Sequence, residues 1–189
     1  MNARHHRRSG LSRPEVMVLM APLIIIISLV VPTWLEWREH QRIRTAYSEI
    51  RMLVTAADLY NREYRLWPAP DASARGDIRF GSVRPNREVM NVLAARVGPG
   101  NEDHRTNPRQ VDFIALATGE LSLSRWSAEG DILDPWGRPY QLVFDANYDN
   151  ICTIPESSYR PVVGEGVVVW SMGRDGRSDT DDDLTSWRR

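Results

Sequence analysis

From Val16 to Leu35 the chain carries no charged residue: about 20 consecutive positions dominated by Val, Ile, Leu and Met. At about 1.5 Å per residue a helix of that length rises about 30 Å, the thickness of a bilayer's hydrocarbon core. A short basic leader precedes the run, with Arg4, Arg7 and Arg8, and Arg13 follows it closely. One acidic residue, Glu15, stands at the start of the run, and Gly10 lies five positions earlier. The other flank, Glu36-Trp37-Arg38-Glu39, has no positive excess. The positive-inside rule therefore places the N-terminus in the cytoplasm and residues 36–189 outside. The rival reading is a conventional signal peptide, which needs a small-residue cleavage site after an apolar core of roughly 7–15 residues. Here the run is longer, and its exit, VVPTW, is a poor site.

Roughly 150 residues follow the run, enough for one small domain. The net charge of −1 gives no global attraction to nucleic acid. All 24 basic residues are Arg, which reads as composition bias. The lone cysteine, Cys152, excludes an intrachain disulfide and, between Ile151 and Thr153, reads as a buried small apolar residue. A reactive thiol would need basic neighbours, and none is adjacent. Of the four histidines, His5 and His6 lie in the leader, and His40 and His104 have no evident nucleophile or carboxylate motif beside them. The chain reads as a non-enzyme.

Pro22 and Pro32 each remove a backbone hydrogen bond and invite a kink in the apolar helix. Beyond Pro32 the helical pattern continues. Ile43, Tyr47, Ile50, Val54, Ala57 and Tyr60 recur at steps of three and four with Leu53 on the same face, between Arg44, Glu49, Arg51, Asp58 and Arg62. The spacing predicts one long stem, first apolar and then amphipathic, ending near residue 65, where Leu66-Trp67-Pro68 stops it. Residues 69–85 read as a loop. Asn86 is placed to cap a helix running to Val97, with Gly98 as its stop. Asn107-Pro108 looks like another helix start, and Val111–Thr118 behind it is ambiguous between helix and strand. Asp134-Pro135-Trp136-Gly137 fits a type I turn. Tyr140–Phe144 and Val167–Ser171 are β-rich, and Asp145–Asn150 is placed as a hairpin turn whose return strand begins at Ile151. The expected fold class is α+β: the helical stem packed on a small antiparallel sheet. Trp136, Trp170 and Trp187 read as core or edge packing.

The C-terminal stretch holds Asp175, Asp179, Asp181, Asp182 and Asp183 within nine residues. Such crowding is repulsive unless a cation or solvent screens it. Hard oxygen donors suit calcium better than zinc, though the spacing is not that of an EF-hand. A solvated acidic loop is the alternative.

A basic leader, then Gly10, four residues, Glu15 and an apolar helix resembles the type IV pilin and pseudopilin class. In that class a membrane peptidase cuts after the Gly, which here falls between Gly10 and Leu11. The class usually has Phe at the new N-terminus and an apolar residue before the Glu, where this chain has Leu11 and Pro14. Three blocks carry a closer likeness: SEIRMLVTAADLYNREYRLWP at Ser48–Pro68, DPWGRPYQL at Asp134–Leu142, and VVVWSMGRDGRSDTDDDLTSW at Val167–Trp187. In this order they resemble the major (G-type) pseudopilin of the type II secretion system. Residues 69–130 form a longer connection than that family usually has.

The resemblance implies a leader of residues 1–10, a transmembrane helix of 11–35 and a periplasmic head of 36–189 with a calcium loop at 172–187. It implies N-methylation of Leu11, and a role for Glu15 in assembly by offsetting the new amino group of a neighbouring subunit. It also implies structural calcium held by the side chains of Asp175, Asp182 and Asp183 and the carbonyls of Met172 and Thr180. The implied partners are itself and other pseudopilins, the prepilin peptidase, an inner-membrane assembly platform and lipid. The implied setting is the bacterial inner membrane, crossed once. A pilin of a surface filament for adhesion, motility or DNA uptake, and a membrane-anchored exported enzyme, are the rival readings.

Overall fold

The computed structural model describes residues 13–70, 76–118, 125–154 and 160–187, without the side chains of 13–19, 21–27 and 29. The chain divides into two compact units, residues 1–41 and residues 42–189. Helix α1 (Arg13–Tyr64) is 52 residues long, as the sequence pattern predicts, and is helical at both Pro22 and Pro32. Among the described residues no helix is long and apolar enough to cross a membrane. The apolar run Val16–Leu35 lies mostly on positions whose side chains are outside that description.

In the second unit, Ala46, Ile50, Leu53, Ala56, Ala57 and Tyr60 of α1 are buried, a stripe at helical spacing. The stripe is rotated slightly from the expected one. Tyr47 is exposed, and Glu49, which the sequence places on the polar side, is buried. Its carboxylate accepts a 2.6 Å hydrogen bond from the Tyr140 hydroxyl, so the face turned inward includes one polar anchor. Burial and the nearby Glu49 carboxylate push the Tyr140 phenol well above its ordinary range.

The stripe shares one core with an antiparallel sheet of four strands in the order β1 (Ile78–Phe80), β2 (Gln141–Phe144), β5 (Val167–Ser171) and β6 (Leu184–Thr185). Alternation sorts the strand residues between two faces. Ile78, Phe80, Leu142, Phe144, Val167 and Val169 join the helix core. Val143, Val168 and Trp170 pack instead with Cys152, Ile154 and Val162. Cys152 and Val162 belong to a separate two-stranded sheet of β3 (Ile151–Cys152) and β4 (Val162–Val163). Covered on both sides, β2 and β5 are buried along their whole length, which explains their unbroken apolar runs.

Two expectations are corrected. Asp145–Asn150 is not the turn of a hairpin on β2, because both edges of β2 are taken by β1 and β5. The Asp145 carboxylate instead accepts the amides of Asp149 (3.2 Å) and Asn150 (2.8 Å), winding the chain into a tight loop that feeds β3 to β4. Residues 69–85 are not all loop: Ile78–Phe80 is an edge strand, its alternating Ile-Arg-Phe too short to register as one in the sequence.

The long connection folds back on the stem. Helix α2 (Arg87–Leu93) stops short of Val97, since Ala95 has φ 51 and Gly98 plays no part in ending it. Asn86 makes no capping bond. Its fully buried amide donates to the carbonyls of Ile132 (2.9 Å) and Tyr140 (3.0 Å) and accepts from the amide of Ile132 (2.9 Å). Asn107 is likewise buried, bonded to Val92, Val111 and the Tyr64 hydroxyl. The ambiguous segment is helix α3 (Phe113–Thr118), and Asp112, whose carboxylate accepts the Ala115 amide, caps it. Phe113 meets Tyr60 and Tyr64 edge-on, at 5.4 and 6.1 Å between centroids. Trp67 packs against Gly166, where any Cβ would strike its ring, and donates its indole N–H to the carbonyl of Asp145 at 2.7 Å.

Asn86→Ala should cost about 3 kcal/mol, because it removes three buried hydrogen bonds and strands the Ile132 amide and the Tyr140 carbonyl. Urea unfolding of the detergent-solubilised chain measures this. A loss under about 0.5 kcal/mol would be that of an ordinary surface position and would refute the joining role.

Candidate functional site

The acidic stretch forms the loop between β5 and β6, and its root is the Asp134 turn. The turn closes by the Gly137 amide donating to the Asp134 carbonyl at 2.9 Å, with Gly137 at φ 91. The Asp134 side chain is fully buried, and such a carboxylate must be matched by donors. Its Oδ1 accepts the amides of Trp136 (3.0 Å) and Arg138 (2.9 Å), and its Oδ2 accepts the Ser171 hydroxyl at 2.6 Å. Ser171 ends β5, and its Oγ in turn accepts the amide of Gly173 at 3.1 Å.

Arg138 reaches the loop from the same turn, donating to the carbonyls of Gly173 (2.8 Å) and Arg174 (3.2 Å). Gly173 sits at φ 59 with the Asp182 backbone carbonyl where a Cβ would go, so both conformation and space require glycine.

Within the loop the Asp182 carboxylate accepts the Asp175 amide at 3.0 Å. The Asp183 carboxylate accepts the amides of Asp179 (2.6 Å) and Thr180 (3.2 Å). The Thr180 hydroxyl lies 2.7 Å from Asp182 Oδ1 and 3.4 Å from an oxygen of each of Asp175 and Asp183. One hydroxyl proton serves one of these oxygens; the others face it with no proton between. Partial burial pushes the Asp182 carboxyl up, but the Thr180 hydroxyl and the amides of Asp175 and Arg174 outweigh it, and the net direction is down. The carbonyl of Met172 accepts the Gly176 amide at 3.1 Å, and that of Thr180 accepts the Asp183 amide at 3.3 Å.

The structure thus brings Asp175, Thr180, Asp182 and Asp183 together. As they stand, the Thr180 hydroxyl takes the space between the carboxylates. Among the described residues, as they stand, no group of three or more His, Cys, Asp or Glu is arranged to hold a metal ion. Gly10 and Leu11 lie outside the described residues; Glu15 lies in α1, its side chain outside them.

Cys152 is buried, its thiol near the Glu165 carbonyl at 3.2 Å. Burial, with the negative charges of Asp77 and Asp145 nearby, pushes the thiol up to about 12, so it stays protonated and unreactive at neutral pH.

No family model matches the chain. Among curated proteins, the type II secretion system core protein G of Aeromonas hydrophila is 24% identical over 181 residues, 96% of this chain and 93% of its own length. The core protein G of Klebsiella michiganensis is 24% identical over 184 residues, 97% of this chain and 96% of its own. The chain resembles the major (G-type) pseudopilin of the type II secretion system. The core protein G of Pseudomonas aeruginosa is 21% identical over 188 residues, 96% of this chain and of its own. The crystal structure of the major pseudopilin from the type 2 secretion system of enterohaemorrhagic Escherichia coli covers 84% of this chain and 96% of its own, at a TM-score of 0.37 and 15% identity.

The G-type blocks read from the sequence occupy joined places in this fold: the buried stripe of α1, the Asp134 turn, and β5 with its loop and β6. Sequence reasoning missed Arg138 and Ser171. The turn motif signalled a bend at Asp134, but nothing local marks a serine 37 positions on as its partner.

Asp134→Ala should cost about 3 kcal/mol by stranding the Ser171 hydroxyl and two amides. It should also speed hydrogen exchange at Gly173, read by mass spectrometry. Unchanged exchange there would separate the turn from the loop.

Proposed function

We infer that this chain is a pseudopilin subunit, assembling with other pseudopilins into a short periplasmic filament that drives protein export by type II secretion. The observation that carries the reading is similarity to core protein G along 96% of the chain. The role is mechanical: a cytoplasmic motor spends the ATP and this subunit moves. The apolar run Val16–Leu35 crosses the inner membrane once, N-terminus inside. Cleavage between Gly10 and Leu11 by the prepilin peptidase, N-methylation of Leu11, and docking on an inner-membrane platform complete the proposal. Glu15 offsets the amino group that cleavage creates on a neighbour, since a lone carboxylate at the membrane boundary is costly.

Deleting the gene should abolish specific exoproteins by mass spectrometry while surface filaments, seen by electron microscopy, persist. Restoring the chain as Glu15→Ala should restore membrane insertion but not secretion. Loss of filaments with secretion intact would make the chain a surface pilin instead.

The loop suits calcium in kind: carboxylates of Asp175, Asp182 and Asp183 and carbonyls of Met172 and Thr180, with no nitrogen or sulfur donor among them. The supporting observation is the trio of carboxylates around the Thr180 hydroxyl. Bound calcium would neutralise their repulsion and pin the loop to the sheet, adding to folding. At a calcium concentration about 100 times Kd the thermal midpoint should rise by about 5–10 °C over that in chelator. Asp182→Asn should remove most of the rise. An unchanged midpoint in the parent chain would sink the site.

A further inference from the structure

We propose that Trp34 and Trp37 form an aromatic anchor seated in the lipid headgroup layer on the outer side of the membrane. Both indoles stand in the open, 51% and 59% exposed, on a helix of the first compact unit. Large exposed aromatics on one face of a helix need a cover. At 3.6 residues per turn, Val30, Trp34 and Trp37 fall within about 60° of one another, while Glu36 projects about 130° away from their centre. Val30 is also exposed, so apolar surface runs along this face into the two indoles.

The occupant follows from position and chemistry. The indoles stand where the charge-free run ends and the first charged residues, Glu36 and Arg38, begin. A ring that is apolar in body and carries one N–H suits the boundary between hydrocarbon and water. The Arg38 guanidinium stacks over the Trp34 ring at 4.5 Å, and Arg38 is itself exposed. It therefore keeps donors free for a phosphate while its charge is met by the ring. A cation resting on the indole, beside an apolar face, matches the layer where phosphates meet acyl chains. The anchor would fix how deep the stem sits in the membrane. This rests on the reading of Val16–Leu35 as a membrane span.

The test uses the full chain reconstituted in phosphatidylcholine vesicles, with bromine placed on the acyl chain either near the headgroup or near the bilayer centre. Trp fluorescence is recorded for the parent, for Trp34→Phe and Trp37→Phe singly, and for the double variant, with vesicle flotation measured in parallel. Shallow bromine should quench the parent more than twofold more strongly than deep bromine, and the double variant should lose most of that quenching while still floating. A chain that floats but shows no shallow quenching overturns the anchor and leaves the span standing. Trp34 and Trp37 shielded from both bromine and aqueous acrylamide would mean that a second copy covers them, which also overturns it. A chain that does not float overturns the span and the anchor together.

Discussion

Everything in the head depends on how the second half of α1 meets the central pair of strands. Ala46, Ala56 and Ala57 keep that face of the helix narrow, and Leu53 and Tyr60 share one core with Leu142 and Val169 of the sheet. Small residues let a helix come close, and packing at that distance does not tolerate rotation. The buried bond between Glu49 and Tyr140 fixes the rotation with polar specificity, since either partner alone in the core would be strongly unfavourable. Sheet order, the folded connection and the placement of the C-terminal loop all follow from that docking.

The connection of residues 69–130 is tied down mostly by asparagine. Asn86, Asn101 and Asn107 are all fully buried: Asn101 and Asn107 bond carbonyls at the end of α2 and just beyond it, and Asn86 bonds Ile132 and Tyr140. A short irregular segment leaves many amides and carbonyls unmatched, and a carboxamide can serve both kinds at once. Apolar side chains add to this: Val89, Met90, Val92, Leu93 and Phe113 are buried in the main core, and Phe113 meets Tyr60 of α1 edge-on.

The long stem, strands β2 and β5 and the Asp134 turn were legible because each is announced by a local pattern: a helical stripe, an apolar β-rich run, an Asp-Pro-x-Gly order. Illegible were the features whose reason lies far along the chain. Glu49 looks solvent-facing until Tyr140, 91 residues on, gives it a donor. Asn86 and Asn107 look like helix caps because capping is what an asparagine does locally; Asn86 instead reaches Ile132 and Tyr140, and Asn107 reaches Val92 and Tyr64 as well as Val111. Strand β1 is invisible because three residues carry almost no periodicity. In the acidic loop, composition pointed to a cation, whereas the tie through Ser171 and Arg138 needed the fold.

The four-stranded sheet ends in β1 with three residues and β6 with two. Unpaired strand edges are templates for sticking one sheet to another, and the shorter they are, the weaker the template. The subunit role proposed above, crowded among identical copies, would be most exposed to that hazard, because every encounter presents the same edge to itself. Here the edges offer only a few free amides and carbonyls, and the apolar strands between them are sealed on both faces. In the filament proposed above, short strand edges and sealed strand faces would leave little of the sheet for runaway aggregation to use.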